Sequence, residues 1–96
     1  MNQVNLALQI LPVSQDEDVY RLVDKAIEVI KNSGLKYRVC PFETVLEGSY
    51  DRVMQVAREA QEVCLQAGAD KMMVYMKIQH DKLHDVTIED KMKKYP

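Results

Sequence analysis

The stretch KYRVCPFETVLEGSYDRV, residues 36–53, holds the most pointed chemical feature of the chain: Glu47 followed by Gly48 where a strand gives way to a helix. Two readings are open for that carboxylate. In the plain one, Gly48 supplies a tight turn, and Glu47 is solvated or favours the helix N-terminus through its charge. In the functional one, Glu47 points into a cleft and accepts charge-assisted hydrogen bonds from an amidine-like or cationic ligand. Thr44, on the same strand, offers a hydroxyl that both donates and accepts. Asn5 and Gln9 alternate with apolar residues in VNLALQILP, which places both on the sheet face turned away from the helices.

The loop His80-Asp81-Lys82-Leu83-His84-Asp85 brings together two His and two Asp, donors that suit zinc or another divalent ion. No helix is expected there to put the two imidazoles on one face, so an exposed polar loop is the simpler reading. A cysteine nucleophile needs an oriented base beside it. Cys40 and Cys64 lie in apolar patterns without one and read as reduced, buried residues. Ser14, Ser33 and Ser49 fall at expected helix ends, as caps or stops. No Gly-rich phosphate loop occurs, and the six methionines are scattered as gap fillers. The five tyrosines read as packing residues, although Tyr75 on the open sheet face, or Tyr50 near Glu47, has the ring to seat another ring or a cation. No catalytic constellation emerges, and no metal ligands are assigned.

These groups are positioned by a regular alternation of periods. In the first strand Val4, Leu6, Leu8 and Ile10 share one face; Asn5, Ala7, Gln9 and Leu11 share the other, and Pro12 is expected to end it. Ser14 and Glu17 have capping-box spacing, so the first helix is expected from about Asp16 to Ser33, with Val19, Val23, Ala26, Ile27 and Ile30 inward and Gly34 as its stop. LKYRVC is a second strand, and Glu43 to Glu47 a third. Ser49 opens a second helix whose stripe is Val53, Val56, Ala57, Ala60, Val63, Cys64 and Ala67, ended by Gly68. DKMMVYMKIQH is the fourth strand, and Thr87 caps a short terminal helix with Glu89 and Asp90 in its first turn. The order predicts an α+β, ferredoxin-like βαββαβ domain spanning residues 1–96: a four-stranded antiparallel sheet, two helices on one face, and a short C-terminal helix.

The remaining properties narrow the partners. Ninety-six residues make one domain with a thin core. A net charge of −2 without a basic stripe argues against nucleic acid. The N-terminus lacks a signal-peptide pattern, and no run of about 18 apolar residues offers a membrane span, so a cytoplasmic protein is expected. The helix-free sheet face carries Ala7, Leu11, Met73 and Tyr75, an apolar surface that sheet-to-sheet packing between subunits would bury.

GLKYRVCPFETVLEG resembles the GLKYE…P…T…EG signature of the thiamine-binding proteins, the MTH1187/YkoF-like or UPF0045 family. The strand ending at Pro12 and the tail TIEDKMKKYP fit as well, so the resemblance covers essentially the whole chain. It implies a small cytoplasmic ferredoxin-like protein, a homotetramer built as a dimer of dimers, that binds thiamine or its hydroxymethylpyrimidine part without catalysis, for transport, salvage or sequestration. One departure is Gln79-His80, where similar sequences end the fourth strand in an acidic residue. Under this resemblance Glu47 meets the aminopyrimidine in a planar two-point match, with Thr44, Asn5 and Gln9 as further polar contacts and Tyr75 as a seat for the thiazolium cation. Two rivals remain: an oligomeric regulatory module for another small ligand such as an amino acid, and a metal-dependent enzyme using His80, Asp81 and His84. An acylphosphatase role would require a Gly-rich loop with arginine that is not in the sequence.

Overall fold

The computed structural model describes residues 2–96. Its elements run β1 (Val4–Val13), α1 (Val19–Asn32), β2 (Lys36–Val39), β3 (Thr44–Gly48), α2 (Tyr50–Gln66), β4 (Lys71–Gln79) and α3 (Ile88–Met92). The four strands form one antiparallel sheet in the order β2-β3-β1-β4. This is the expected α+β ferredoxin-like arrangement, and period-2 patterning explains it. Val4, Leu6, Leu8 and Ile10 are buried on one face of β1, against Leu22, Ala26 and Ile30 of α1 and Val53, Val56, Ala57, Ala60 and Cys64 of α2. Each fully buried aliphatic side chain contributes roughly 1.5–3 kcal/mol.

The structure corrects several expected boundaries. Pro12 does not end β1; it pairs with Met72 inside a strand that continues to Val13. Val13 turns its carbonyl to the β4 side, where it accepts from the Asp70 N–H at 2.8 Å. Alternation then turns the donor-less Pro12 nitrogen to the other side, where β3 has already ended with the Leu8–Thr44 pair. A proline is tolerated at such an edge position.

Helix α1 begins at Val19, not near Asp16, and Asp18 is its cap, accepting from the Tyr20 N–H. The Ser14 hydroxyl does accept from the Glu17 N–H, at 3.0 Å, but it donates to the Gly68 carbonyl at 2.9 Å. The capping-box spacing therefore builds a turn that ties the end of β1 to the corner after α2. Starting later, α1 exposes Val19 and buries Leu22, which the expected stripe omitted. Cys40 is only half-buried, in the turn between β2 and β3, whereas Cys64 is fully buried; both thiols are free. Gly34 lies at φ 82° and stops α1 as expected.

Candidate functional site

On the sheet face away from the helices, strand register lays side chains in rungs. One rung reads Arg38, Val45, Ala7, Lys77 across β2, β3, β1 and β4; the next reads Lys36, Glu47, Asn5, Gln79. Neighbouring rungs on one face lie about 7 Å apart, and neighbouring strands about 4.8 Å. The first rung has an apolar middle between cationic ends. The second has a carboxylate and an amide at its centre.

The segment that follows β4 closes over this second rung. Val86 is buried, and its N–H donates to the Gln3 carbonyl at 3.0 Å. The Asn5 side-chain amide donates to the Val86 carbonyl at 3.0 Å and to Glu47 Oε1 at 3.3 Å. The same Oε1 accepts the Ile88 N–H. Thr87 caps α3 by accepting from the Asp90 N–H, as its position predicts. Glu47 is thus neither solvated nor a cap for α2, a role that Ser49 fills by accepting from the Arg52 N–H at 3.3 Å. It is a buried latch, 8% exposed, between the sheet and the terminal helix.

Between that helix and the sheet runs a groove of about 450 Å³. Ala7 and Val45 form its floor, Arg38 and Lys77 its flanks, and Ile88, Lys91 and Met92 its roof. Asn5 stands at its polar end, and Glu43 and Cys40 line it too. Clefts of similar size between and beside the helices are lined by Glu, Gln, Arg and Lys side chains at the surface, but none contains a buried polar side chain. The groove has one. Asn5 is 4% exposed, and its Oδ1 has no hydrogen-bond partner among the described residues. Flipping the amide would not help, because it would turn Oδ1 toward three acceptors, Glu47 Oε1 and the Val4 and Val86 carbonyls. An unpaired buried acceptor costs about 1–3 kcal/mol, so a donor brought to it is favoured. Among the described residues Glu47 Oε2 likewise accepts no hydrogen bond.

Of the residues singled out from sequence, Asn5 and Glu47 are in direct contact, and of that pair Asn5 alone lines the groove. Gln9 and Tyr75 pair with each other two rungs away, about 14 Å along β1 from Asn5, and the groove lining does not include them. Thr44 pairs with Leu8 and Val39, on the helix-covered face. It is buried there, on the opposite side of the sheet from Glu47. Sequence reading missed Arg38, Lys77, Ile88 and Lys91; the two strand cations were within reach of register arguments, but the placement of α3 was not.

The His80–Asp85 loop does not converge. The His80 ring lies against Tyr50, with centroids 5.1 Å apart, while His84 Nδ1 lies 3.7 Å from Asp81. The Asp81 carboxyl is held below the usual carboxylate range, first by the Leu83 N–H at 2.8 Å and also by the His84 N–H at 3.1 Å. These bonds shape the turn. Among the described residues no group of three or more His, Cys, Asp or Glu is placed to hold a metal ion.

Comparison with known proteins gives these features a context. A family model described as thiamine-binding protein matches residues 6–96. A UPF0045 protein of Clostridium perfringens is 39% identical, with 99% of each chain covered. A solved structure of a domain of unknown function from Bacillus cereus superposes with a TM-score of 0.95 at 40% identity, covering 99% of this chain and 91% of that one. A Thermotoga maritima structure, provisionally described as a thiamine biosynthesis or salvage protein, gives 0.87 at 29% identity, covering 98% and 99%.

Proposed function

The chain belongs to the thiamine-binding protein family, and from that premise we propose that it is a non-enzymatic binding protein whose groove takes thiamine or its hydroxymethylpyrimidine part. The observation that carries the reading is buried Asn5 at the groove's polar end, its Oδ1 lacking a donor and its amide hydrogen-bonded to Glu47 behind it. An aminopyrimidine presents an exocyclic amine beside a ring nitrogen. The amine supplies the missing donor, and the carboxylate's second oxygen offers a further acceptor. The flat ring rests on Val45 and Ala7, whose small side chains leave the floor open.

The role in the cell that fits such a protein is transport, salvage or sequestration of the vitamin or its precursor in the cytoplasm. No helix among the described residues is long and apolar enough to cross a membrane. Of the residues assigned from sequence, Asn5 and Glu47 are retained as ligand contacts; Gln9, Tyr75 and Thr44 lie too far along the sheet or on its other face to join them on one small ring.

Isothermal titration of tag-free protein with thiamine and with hydroxymethylpyrimidine tests this reading, beside a thermal-shift panel of amino acids. Binding of the pyrimidine at micromolar level or tighter is expected. Glu47→Gln keeps an oxygen for the Ile88 and Asn5 donors while removing the charge, and it should weaken binding by about 1.5–3 kcal/mol. A Glu47→Gln protein that binds as well as the parent, or a panel in which only an amino acid shifts the melting point, would overturn the assignment.

A further inference from the structure

Within that reading, we infer that the groove selects the phosphorylated, anionic form of its heteroaromatic ligand, with Arg38 and Lys91 holding the phosphate. This extension rests on the proposed pyrimidine site and is carried by the groove's charge pattern.

Three cations, Arg38, Lys77 and Lys91, line the groove against one lining carboxylate, Glu43, with the buried Glu47 carboxylate behind Asn5 at its end. The whole chain carries a net charge of −2, so the local excess of positive charge is not a reflection of overall composition. Lys77 Nζ lies 3.5 Å from Glu43 Oε1, and that pair largely neutralises itself. Among the described residues neither Arg38 nor Lys91 has an ion-pair partner. Two cations without ion-pair partners, one on the flank and one in the roof of a small groove, disfavour a bare thiazolium beside them and attract an anion.

The geometry supplies the spacing. Arg38 ends the rung whose middle is the apolar floor, and the Glu47–Asn5 pair sits on the neighbouring rung. From Asn5 to Arg38 is two strand spacings across the sheet and one rung along it, about 12 Å. In hydroxymethylpyrimidine the hydroxymethyl carbon is attached next to the amine-bearing ring carbon, so with the amine at Asn5 an ester phosphate leaves the flank of the ring, over the apolar floor that ends at the long Arg38 side chain, and Lys91 lines the same groove. An arginine fork binds a phosphate through two parallel hydrogen bonds, and a lysine adds a point charge. The aromatic seat expected for a cation, Tyr75, lies outside the groove, which again favours an anionic substituent there.

The test is a matched titration at fixed ionic strength: hydroxymethylpyrimidine against its phosphate ester, thiamine against thiamine monophosphate, and inorganic phosphate alone. The esters are expected to bind at least about tenfold tighter than the unphosphorylated forms, with a preference that falls as salt rises. In Arg38→Ala the ratio of the two affinities should shrink toward one, which is internally controlled because both ligands meet the same variant protein. Unphosphorylated ligand binding as tightly as its ester sinks the inference and leaves the pyrimidine site standing. No binding of either form removes both. A ratio unchanged in both Arg38→Ala and Lys91→Ala also overturns it, since the phosphate would then be held elsewhere. Inorganic phosphate binding as tightly as the ester overturns it as well, because the ring would then contribute nothing.

Discussion

At the residue scale, the pairing of Glu47 with Gly48 has a packing explanation as well as a chemical one. Gly48 does not adopt a positive φ. A Cβ at that position would sit 2.9 Å from Leu35 Cδ2 and 3.4 Å from Val53 Cγ1, so the glycine lets β3 press against the first turn of α2. Gly48→Ala should destabilise the protein by about 1 kcal/mol, the low end for overpacking, because the Leu35 methyl is the mobile end of a side chain. Urea unfolding measures this, and a stability gain would contradict it. Cys64 is the second residue with a predictable signature. Burial pushes its thiol above the ordinary range, and Sγ donates to the Leu22 carbonyl at 3.3 Å. Its folded-state pKa is raised, so the unfolded chain loses this proton first. The thiol's contribution is fully present below the unfolded pKa, near 8.5, and declines as pH rises from there through the folded value. Cys64→Ala should be less stable at neutral pH yet lose less stability between neutral pH and pH 10 than the parent. A thiol reagent at pH 7 should modify Cys40 and spare Cys64.

At the element scale, the terminal segment hangs on very few bonds. Glu47 Oε1 holds the Ile88 N–H, Asn5 holds the Val86 carbonyl, and α3 itself has only five residues. A helix of that length has no independent stability. Val86 keeps its bonds to Gln3 and Asn5, so Glu47→Ala should release residues 87–92 from the sheet and lose about 1.5–3 kcal/mol, the range for hydrogen bonds to a charged group. Hydrogen exchange at the Ile88 amide should accelerate sharply in this variant, while Glu47→Gln retains most of the protection. Equal protection in Glu47→Ala would show that other contacts hold the segment. This latch also marks how far the sequence could be read. Strands and helices were legible because each buries a face of its own period; the small departures at Pro12 and Asp18 come from hydrogen-bond partners far along the chain, Asp70 and Gly68. Strand alternation was enough to put Asn5 and Gln9 on the open face, and applied to β3 it also puts Thr44, three residues before Glu47, on the opposite face, against the ligand role that the family resemblance suggested for it. Where the tail docks depends on one carboxylate meeting one N–H 41 positions away, and no local pattern announces that.

At the scale of the whole molecule, α3 covers one end of the open face and leaves the other bare. Leu11 pairs with Met73, and Gln9 with Tyr75; Leu11, Met73 and Tyr75 are 43%, 58% and 50% exposed, on neighbouring rungs of one surface. A chain of 96 residues buries only about 65% of its unfolded surface, so this patch is apolar area that the fold has not used. The helices cannot reach it, because both connections place them on the opposite face. The proposal that follows is a homo-oligomer, with the tetramer that the family resemblance implies as its assembly, joined through this half of the sheet and leaving the groove under α3 open. Met73→Lys and Tyr75→Glu test it directly. Both positions are more than a third exposed, so a monomer should tolerate them within about 0.5 kcal/mol, whereas two copies of either charge facing each other across an interface would repel and be desolvated. Sedimentation equilibrium should give a parent mass of four chains and a smaller assembly for each variant. A parent protein that sediments as one chain, or variants that keep the parent mass, would show that this face is not where subunits meet. If assembly is lost while the pyrimidine still binds, the groove is complete within a single chain, and the oligomer serves to bury the sheet rather than to build the site.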